Sequence, residues 1–257
     1  MIELDALAFQ YPDGTSVFEA FSWRVATGEA WAVLGPSGCG KTTLLYLIAG
    51  LRRPTQGTVR AGGEPVSRPR PRTGLILQDF GLLPWATVRD NVALGLRIRG
   101  FYGPDGKHAP AGEAVTARRE ITQAWIDRLG LSHVAGNFPG QISGGQRQRT
   151  AIARTLSLRP DLLLMDEPFA SLDAPTREDL QNLTLQLRAE TGLTTVIVTH
   201  TIEEAALLGA QVLLLGRLPN RTARVIPNPG GADPVFRTSP RYARACARLR
   251  RELETVR

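Results

Sequence analysis

Gly35-Pro36-Ser37-Gly38-Cys39-Gly40-Lys41-Thr42-Thr43 follows an apolar run, Ala30-Trp31-Ala32-Val33-Leu34, and opens a stretch of helical character from Lys41 to Leu51. Strand, glycine-rich loop and helix stand here in the order that the pattern Gly-x4-Gly-Lys-[Ser/Thr] requires. Glycines let successive backbone N–H groups curl around a phosphate, and the helix start adds partial positive charge. Lys41 has the reach for β- and γ-phosphates, and the Thr42 hydroxyl suits Mg²⁺. The stretch predicts a nucleoside triphosphate site on an α/β core.

Around this loop the bulk numbers leave a narrow field. A chain of 257 residues is long enough for a full α/β core with a subdomain. The charge balance, 31 − 24 = +7, admits nucleic acid or anionic lipid as partner. Its basic residues are scattered, however, with local density only at Arg68–Arg72 and Arg241–Arg257. Two cysteines, one inside the phosphate loop, make no disulfide framework and fit a reducing compartment. The start, Met-Ile-Glu-Leu-Asp, does not read as a signal peptide. No apolar run reaches the ~18–20 residues of a membrane span.

Upstream, Ile2 to Phe9 and Ser22 to Val25 alternate apolar and polar about the turn Pro12-Asp13-Gly14, which predicts an antiparallel β layer. Tyr11 offers a ring that could stack on a base. Downstream, three apolar runs each deliver a polar residue to their carboxyl tip, where α/β folds place ligand groups. Thr73 to Leu77 ends at Gln78, Leu162 to Met165 at Asp166-Glu167, and Thr195 to Val198 at Thr199-His200. Asp166 fits a Mg²⁺-associated acid, and Glu167 a carboxylate that polarises water. Gln141 to Gln146, with Ser143-Gly144-Gly145, opens a second helix start suited to an anion.

Several stretches read as helical. Arg118 to Leu129 puts Ile121, Ala124, Trp125 and Leu129 on one face. Pro175 starts a helix with Leu180, Leu183 and Leu187, ended by Gly192. Phe101 to Ala117 lacks periodicity and reads as a surface insertion. From Arg217 the chain is expected to be loop-rich until a basic helix over Tyr242 to Val256.

Taken together these residues resemble the ATP-binding subunit of an ABC transporter, over about residues 1–225. Walker A is Gly35 to Thr42, and Walker B is Leu162 to Asp166 followed by Glu167. The signature is Ile142-Ser143-Gly144-Gly145-Gln146, with Ile where Leu is usual. Gln78 matches the Q-loop, Ser171-Leu172-Asp173 the D-loop, His200 the H-loop and Tyr11 the A-loop. The resemblance implies a P-loop NTPase core of RecA-like kind, with an N-terminal antiparallel β subdomain. A helical subdomain at about 80–160 would be inserted, and 226–257 would form a short helical tail.

What the family implies for the site follows residue by residue. Tyr11, Gly35, Pro36, Ser37, Gly38, Cys39, Gly40, Lys41, Thr42 and Thr43 would bind ATP. Thr42, Gln78 and Asp166 would gather around Mg²⁺, while Glu167, His200 and Gln78 would serve hydrolysis. Ser143, Gly144, Gly145, Gln146 and Asp173 would act in trans, on the ATP of a second copy in a head-to-tail dimer.

A finer resemblance, to importers of the nitrate/sulfonate/taurine type, rests on Gln78 to Val92 and on Asp166-Glu167-Pro168-Phe169. In such systems the segment after the Q-loop receives a helix of the membrane subunit, so Phe80, Leu82, Leu83, Pro84 and Trp85 would be interface residues. The implied partners are a second ABC ATPase subunit, two integral membrane permease subunits and, indirectly, a substrate-binding protein, with no nucleic acid. The place is the cytoplasmic face of the cell membrane. An exporter or lipid-transport ATPase shares every motif and stays open at this point, as does a soluble ABC protein.

Overall fold

The computed structural model describes residues 1–112 and 117–256. The chain divides into two compact units. Unit 1 comprises Met1–Pro69, Leu164–Glu167 and Asn182–Arg257, and unit 2 comprises Arg70–Leu163 and Pro168–Gln181.

Unit 1 begins with β1 (Ile2–Gln10) and β2 (Ser16–Val25), joined by the expected turn. They pair antiparallel, Ile2 opposite Val25 and Leu4 opposite Trp23. The alternation expected over Ile2 to Phe9 is interrupted. Ile2 and Leu4 are buried, Asp5 and Ala6 are both exposed, and Leu7 and Phe9 are buried again. A bulge at Ala6, where φ is +45°, absorbs the extra residue and returns the apolar side chains to one face.

After β3 (Ala30–Leu34) and α1 (Lys41–Ile48), β4 (Gln56–Ala61) and the two-residue β5 (Glu64–Pro65) complete a sheet of order β2-β1-β4-β5. Gly57 lies where a Cβ would come 2.4 Å from the Ala6 carbonyl oxygen, so the bulge and the glycine require each other.

In unit 2, β6 (Thr73–Ile76) precedes three helices: α2 (Val88–Tyr102), α3 (Arg118–Arg128) and α4 (Gly144–Leu156). Helix α2 packs on both α3 and α4. Thr87 caps α2, its hydroxyl accepting from the Asp90 N–H at 3.1 Å. The buried face of α3 is turned from the one expected. Thr122, Ile126 and Leu129 are buried, Ile121 and Trp125 are half-buried, and Ala124 is exposed. The stretch read as a surface insertion lies partly outside the described residues; its first two, Phe101 and Tyr102, end α2.

The strand β7 (Leu162–Asp166) starts in unit 2 and ends in unit 1, where β8 (Thr194–Thr199) follows. Helix α5 (Ala174–Thr191) likewise starts in unit 2 and ends in unit 1. Leu180 and Leu187 are buried as expected, while Leu183 is only half-buried.

The unit 1 sheet is completed by β9 (Gln211–Leu214) and β10 (Arg224–Pro227). Strand β3 pairs in parallel with β8 on one side and β9 on the other, Val33 lying opposite Val198 and Leu213. All five residues of β3 and all six of β8 are buried. That explains their unbroken apolar reading, since a parallel strand is covered on both faces. One face is closed by α6 (Ile202–Leu208) and α7 (Pro240–Glu254), with Ala205, Ala206, Leu249 and Leu253 packed against Leu34, Val212 and Ile226. The C-terminal helix thus belongs to the core of unit 1 instead of trailing from it.

Candidate active site

Strand β3 ends directly in the phosphate loop. Gly35 cannot be replaced without disturbing it, because a Cβ there would meet Leu215 O at 2.5 Å and Cys39 Sγ at 2.6 Å. Gly40 takes φ +97°, and a Cβ would come 2.5 Å from Val17 Cγ1. Lys41 is buried, and its ammonium donates to Gly35 O and Pro36 O, each at 2.8 Å. The loop thus bends around its own lysine, which sets the charge at the loop centre. Cys39 is buried as well, and burial pushes its thiol pKa up despite Lys41 nearby.

Thr42 leaves the loop exposed and donates from Oγ1 to Asp166 Oδ1 at 3.1 Å. Asp166 closes β7 and is 3% exposed. Burial raises its carboxyl pKa, and the nearby Glu167 adds to this, against the Thr42 hydrogen bond and Lys41. The hydroxyl and carboxylate are hard oxygen donors of the kind Mg²⁺ takes. Among the described residues no group of three or more His, Cys, Asp or Glu could hold a metal unaided.

Glu167 has φ +44°, and its N–H donates to Val198 O at 3.0 Å. Its Oε2 lies 3.1 Å from His200 Nδ1. Tyr11 donates to or accepts from Thr43 Oγ1 at 2.7 Å, with Phe9 against its ring edge and the Arg52 guanidinium 4.9 Å from its ring centre. Tyr11, Ser37, Gly38, Lys41, Thr42 and Glu167 line a cleft of about 350 Å³, which Leu218 also borders. Unit 1 thus brings together Tyr11, the phosphate loop, Asp166, Glu167 and His200.

Unit 2 holds the remaining candidates. Gln78, just past β6, is exposed. Ser143 caps α4 through a capping box: its Oγ accepts from the Gln146 N–H at 3.2 Å, and its N–H donates to Gln146 Oε1 at 2.9 Å. Ser143 is exposed, while Gly145 is buried so tightly that a Cβ would come 2.5 Å from Thr176 Cγ2. Gly144 is half-buried, and Asp173 is exposed with its Oδ1 accepting from the Thr176 N–H at 3.1 Å.

Within the apolar stretch, Phe80 departs from the expected interface role: it is 6% exposed, with φ +67°, and turns inward. Arg154 on α4 fixes this turn by donating to Phe80 O at 2.8 Å and Gly81 O at 2.6 Å. Leu82 and Leu83 are half-buried, Pro84 is exposed, and Trp85 is 74% exposed. Asn91 pins the loop beneath them, accepting from Leu83 N–H at 2.8 Å and donating to Ala86 O at 3.0 Å.

The family model for the ABC transporter matches residues 18–170. The chain belongs to the ABC transporter family. It is an ABC transporter ATPase and binds ATP. Among curated relatives, the taurine import ATP-binding protein TauB of Chromobacterium violaceum is 42% identical over 88% of this chain and 82% of its own. TauB of Escherichia coli O157:H7 is 40% identical over 88% and 84% respectively. This ABC ATPase also resembles a dimeric ATP-binding cassette solved in a post-hydrolysis state with ADP and phosphate. The TM-score is 0.74 at 29% identity, over 88% of this chain and 98% of that one.

Sequence reading of this ABC ATPase passed over Arg52, Arg154, Leu218 and Asn220. Arg52, Leu218 and Asn220 lie in polar or turn-rich stretches and Arg154 within helix α4, none with a motif to mark it. Only the pairing of distant segments reveals them.

Proposed function

We propose that this chain hydrolyses Mg-ATP at sites shared between two head-to-tail copies, and so drives uptake of a small sulfonate such as taurine through a membrane permease. The observation that carries the hydrolytic part is the Glu167–His200 pair, 3.1 Å apart, beside the buried Asp166. In this reading the loop amides and Lys41 bind the phosphates, and Tyr11 stacks on the adenine. Thr42 and Asp166, with Gln78, would hold Mg²⁺, which when bound would supply neutralising charge to the phosphoryl transfer. Glu167 accepts a proton from the attacking water, and His200 orients that carboxylate through Nδ1, leaving Nε2 to meet the γ-phosphate.

The exposed Ser143, at the start of α4 with Gly144 and Gly145, reaches the γ-phosphate bound by the partner copy, and Gln146 holds Ser143 in place through the capping box. Asp173 links the two sites. Distributing these groups over two copies makes closure a condition for turnover. Leu82, Leu83, Pro84 and Trp85 meet the permease, with Trp85 as the exposed anchor. Among the described residues no helix is long and apolar enough to cross a membrane. In our reading the chain attaches to two permease subunits on the cytoplasmic face, which a substrate-binding protein supplies.

Identity to two taurine-import ATPases over most of each chain supports the substrate class. Vesicles carrying the permease with this chain test the reading: ATP-dependent accumulation of taurine is expected. ATP hydrolysis with no uptake of taurine or another sulfonate would overturn the substrate class.

A further inference from the structure

The phosphate loop is also held from a side that its motif does not announce. Beyond β9 the chain runs Gly216-Arg217-Leu218-Pro219-Asn220, and Asn220 is buried, with 7% exposure. Its backbone joins β2: the Asn220 N–H donates to Val17 O at 2.9 Å, and the Glu19 N–H donates to Asn220 O at 3.0 Å. Its side chain spans further. Oδ1 accepts from the Gly216 N–H at 3.1 Å, while Nδ2 donates to Cys39 O at 2.9 Å and reaches Val17 O at 3.4 Å. One amide thus closes its own loop and fastens it to the residue two before Lys41. An aspartate of the same shape keeps the acceptor and loses the donor. Next along the loop, Arg221 pairs with Glu19 at 2.8 Å.

This anchoring brings Leu218 to the rim of the cleft that Tyr11 and the phosphate loop line. Leu218 is 36% exposed. An isobutyl group offers nothing to a phosphate, but it can cover the apolar part of a nucleoside. Among the residues around this cleft it is a large aliphatic side chain set beside the loop amides and Lys41, which take charge.

We propose that the loop 216–221 is a working part of the nucleotide site. Leu218 is a binding wall for the nucleoside moiety of ATP, and Asn220 is a positioning residue that sets the Cys39 to Lys41 stretch of the phosphate loop. The proposal rests on the reading of this cleft as the ATP site.

Equilibrium binding of ATP and of inorganic triphosphate to the full chain separates the two roles. Leu218→Ala raises the Kd for ATP on the order of fivefold, as expected for losing part of a leucine's apolar contact, and leaves the Kd for triphosphate within about twofold. Asn220→Asp raises both by similar factors, because it acts through the phosphate loop. Asn220→Gln, which keeps the donor, recovers most of the triphosphate affinity. An unchanged ATP affinity in Leu218→Ala, or equal weakening of both ligands, overturns the wall. Unchanged triphosphate affinity in Asn220→Asp overturns the positioning role. Leu218 lies at the surface, so its variant tests the loop even should the Asn220 variants fail to fold. A wild-type chain that binds neither ligand overturns the nucleotide reading of the cleft itself.

Discussion

Glu167 and His200 are fixed by one strand. The main chain of Glu167 donates to Val198 O at 3.0 Å, and His200, two residues further along, places Nδ1 3.1 Å from the Glu167 carboxylate. The backbone of Glu167 is strained, with φ +44°, a conformation that persists where the surroundings over-determine it. Replacing the carboxylate by an amide of equal size removes the base and little else. Glu167→Gln is expected to bind ATP near wild-type affinity while turnover falls on the order of 100-fold or more. Phosphate release measured beside nucleotide binding checks this; turnover close to wild type would remove Glu167 from the mechanism.

Asp166 carries a cost that pH reveals. Burial raises its folded pKa above the ordinary carboxylate value of 3.8. The folded chain therefore holds this proton to higher pH than the unfolded chain does, and stability is lost as pH climbs through the raised pKa. Without Mg²⁺ and nucleotide, Asp166→Asn is expected to melt higher than wild type at neutral pH and equally below about pH 3.8. Hydrolysis of Mg-ATP should be lost in the same variant. A lower melting temperature for Asp166→Asn at pH 7 would contradict the assignment.

Lys41 makes a different case, because its charge is already satisfied by the loop it sits in. Its ammonium donates to Gly35 O and Pro36 O at 2.8 Å each. Lys41→Met leaves both carbonyls without that donor and removes the cation meant for the phosphates. Nucleotide affinity should fall by at least tenfold, read as ATP Kd, since a charged hydrogen bond contributes about 1.5–3 kcal/mol. Affinity within twofold of wild type would count against the lysine.

The apolar stretch after β6 was only half legible in the sequence. Five residues read there as one patch, yet Phe80 is a core residue and Trp85 a surface one, and what separates them is Arg154, 74 residues from Phe80 in the chain and invisible to local pattern. Phe80→Ala should cost about 3–5 kcal/mol of stability, and Trp85→Ala less than about 0.5 kcal/mol. Denaturant titration of the two variants decides it. Equal losses would mean that Trp85 is packed instead of presented.

The same contrast holds along the chain. The buried strands β3, β7 and β8 announce themselves as apolar runs, because every residue in them is covered, and the polar residues at their ends stand out against them. Strand β10 gave no such sign: it pairs only with β9, at the sheet edge, and of Arg224-Val225-Ile226-Pro227 only Ile226 is buried. The turned face of α3 was hidden by Thr122, a polar residue that is buried while it donates to Arg118 O at 2.8 Å. Asn220 was hidden because its partners, Val17 and Cys39, are 203 and 181 residues distant, and no spacing rule connects them.

If two copies complete one another's sites, the mass of Glu167→Gln in solution depends on nucleotide. With Mg-ATP the mass is expected to double from 27.9 kDa, a change reversed by removing nucleotide and abolished by Ser143→Arg at the exposed start of α4. A chain that binds Mg-ATP and stays at 27.9 kDa would contradict it.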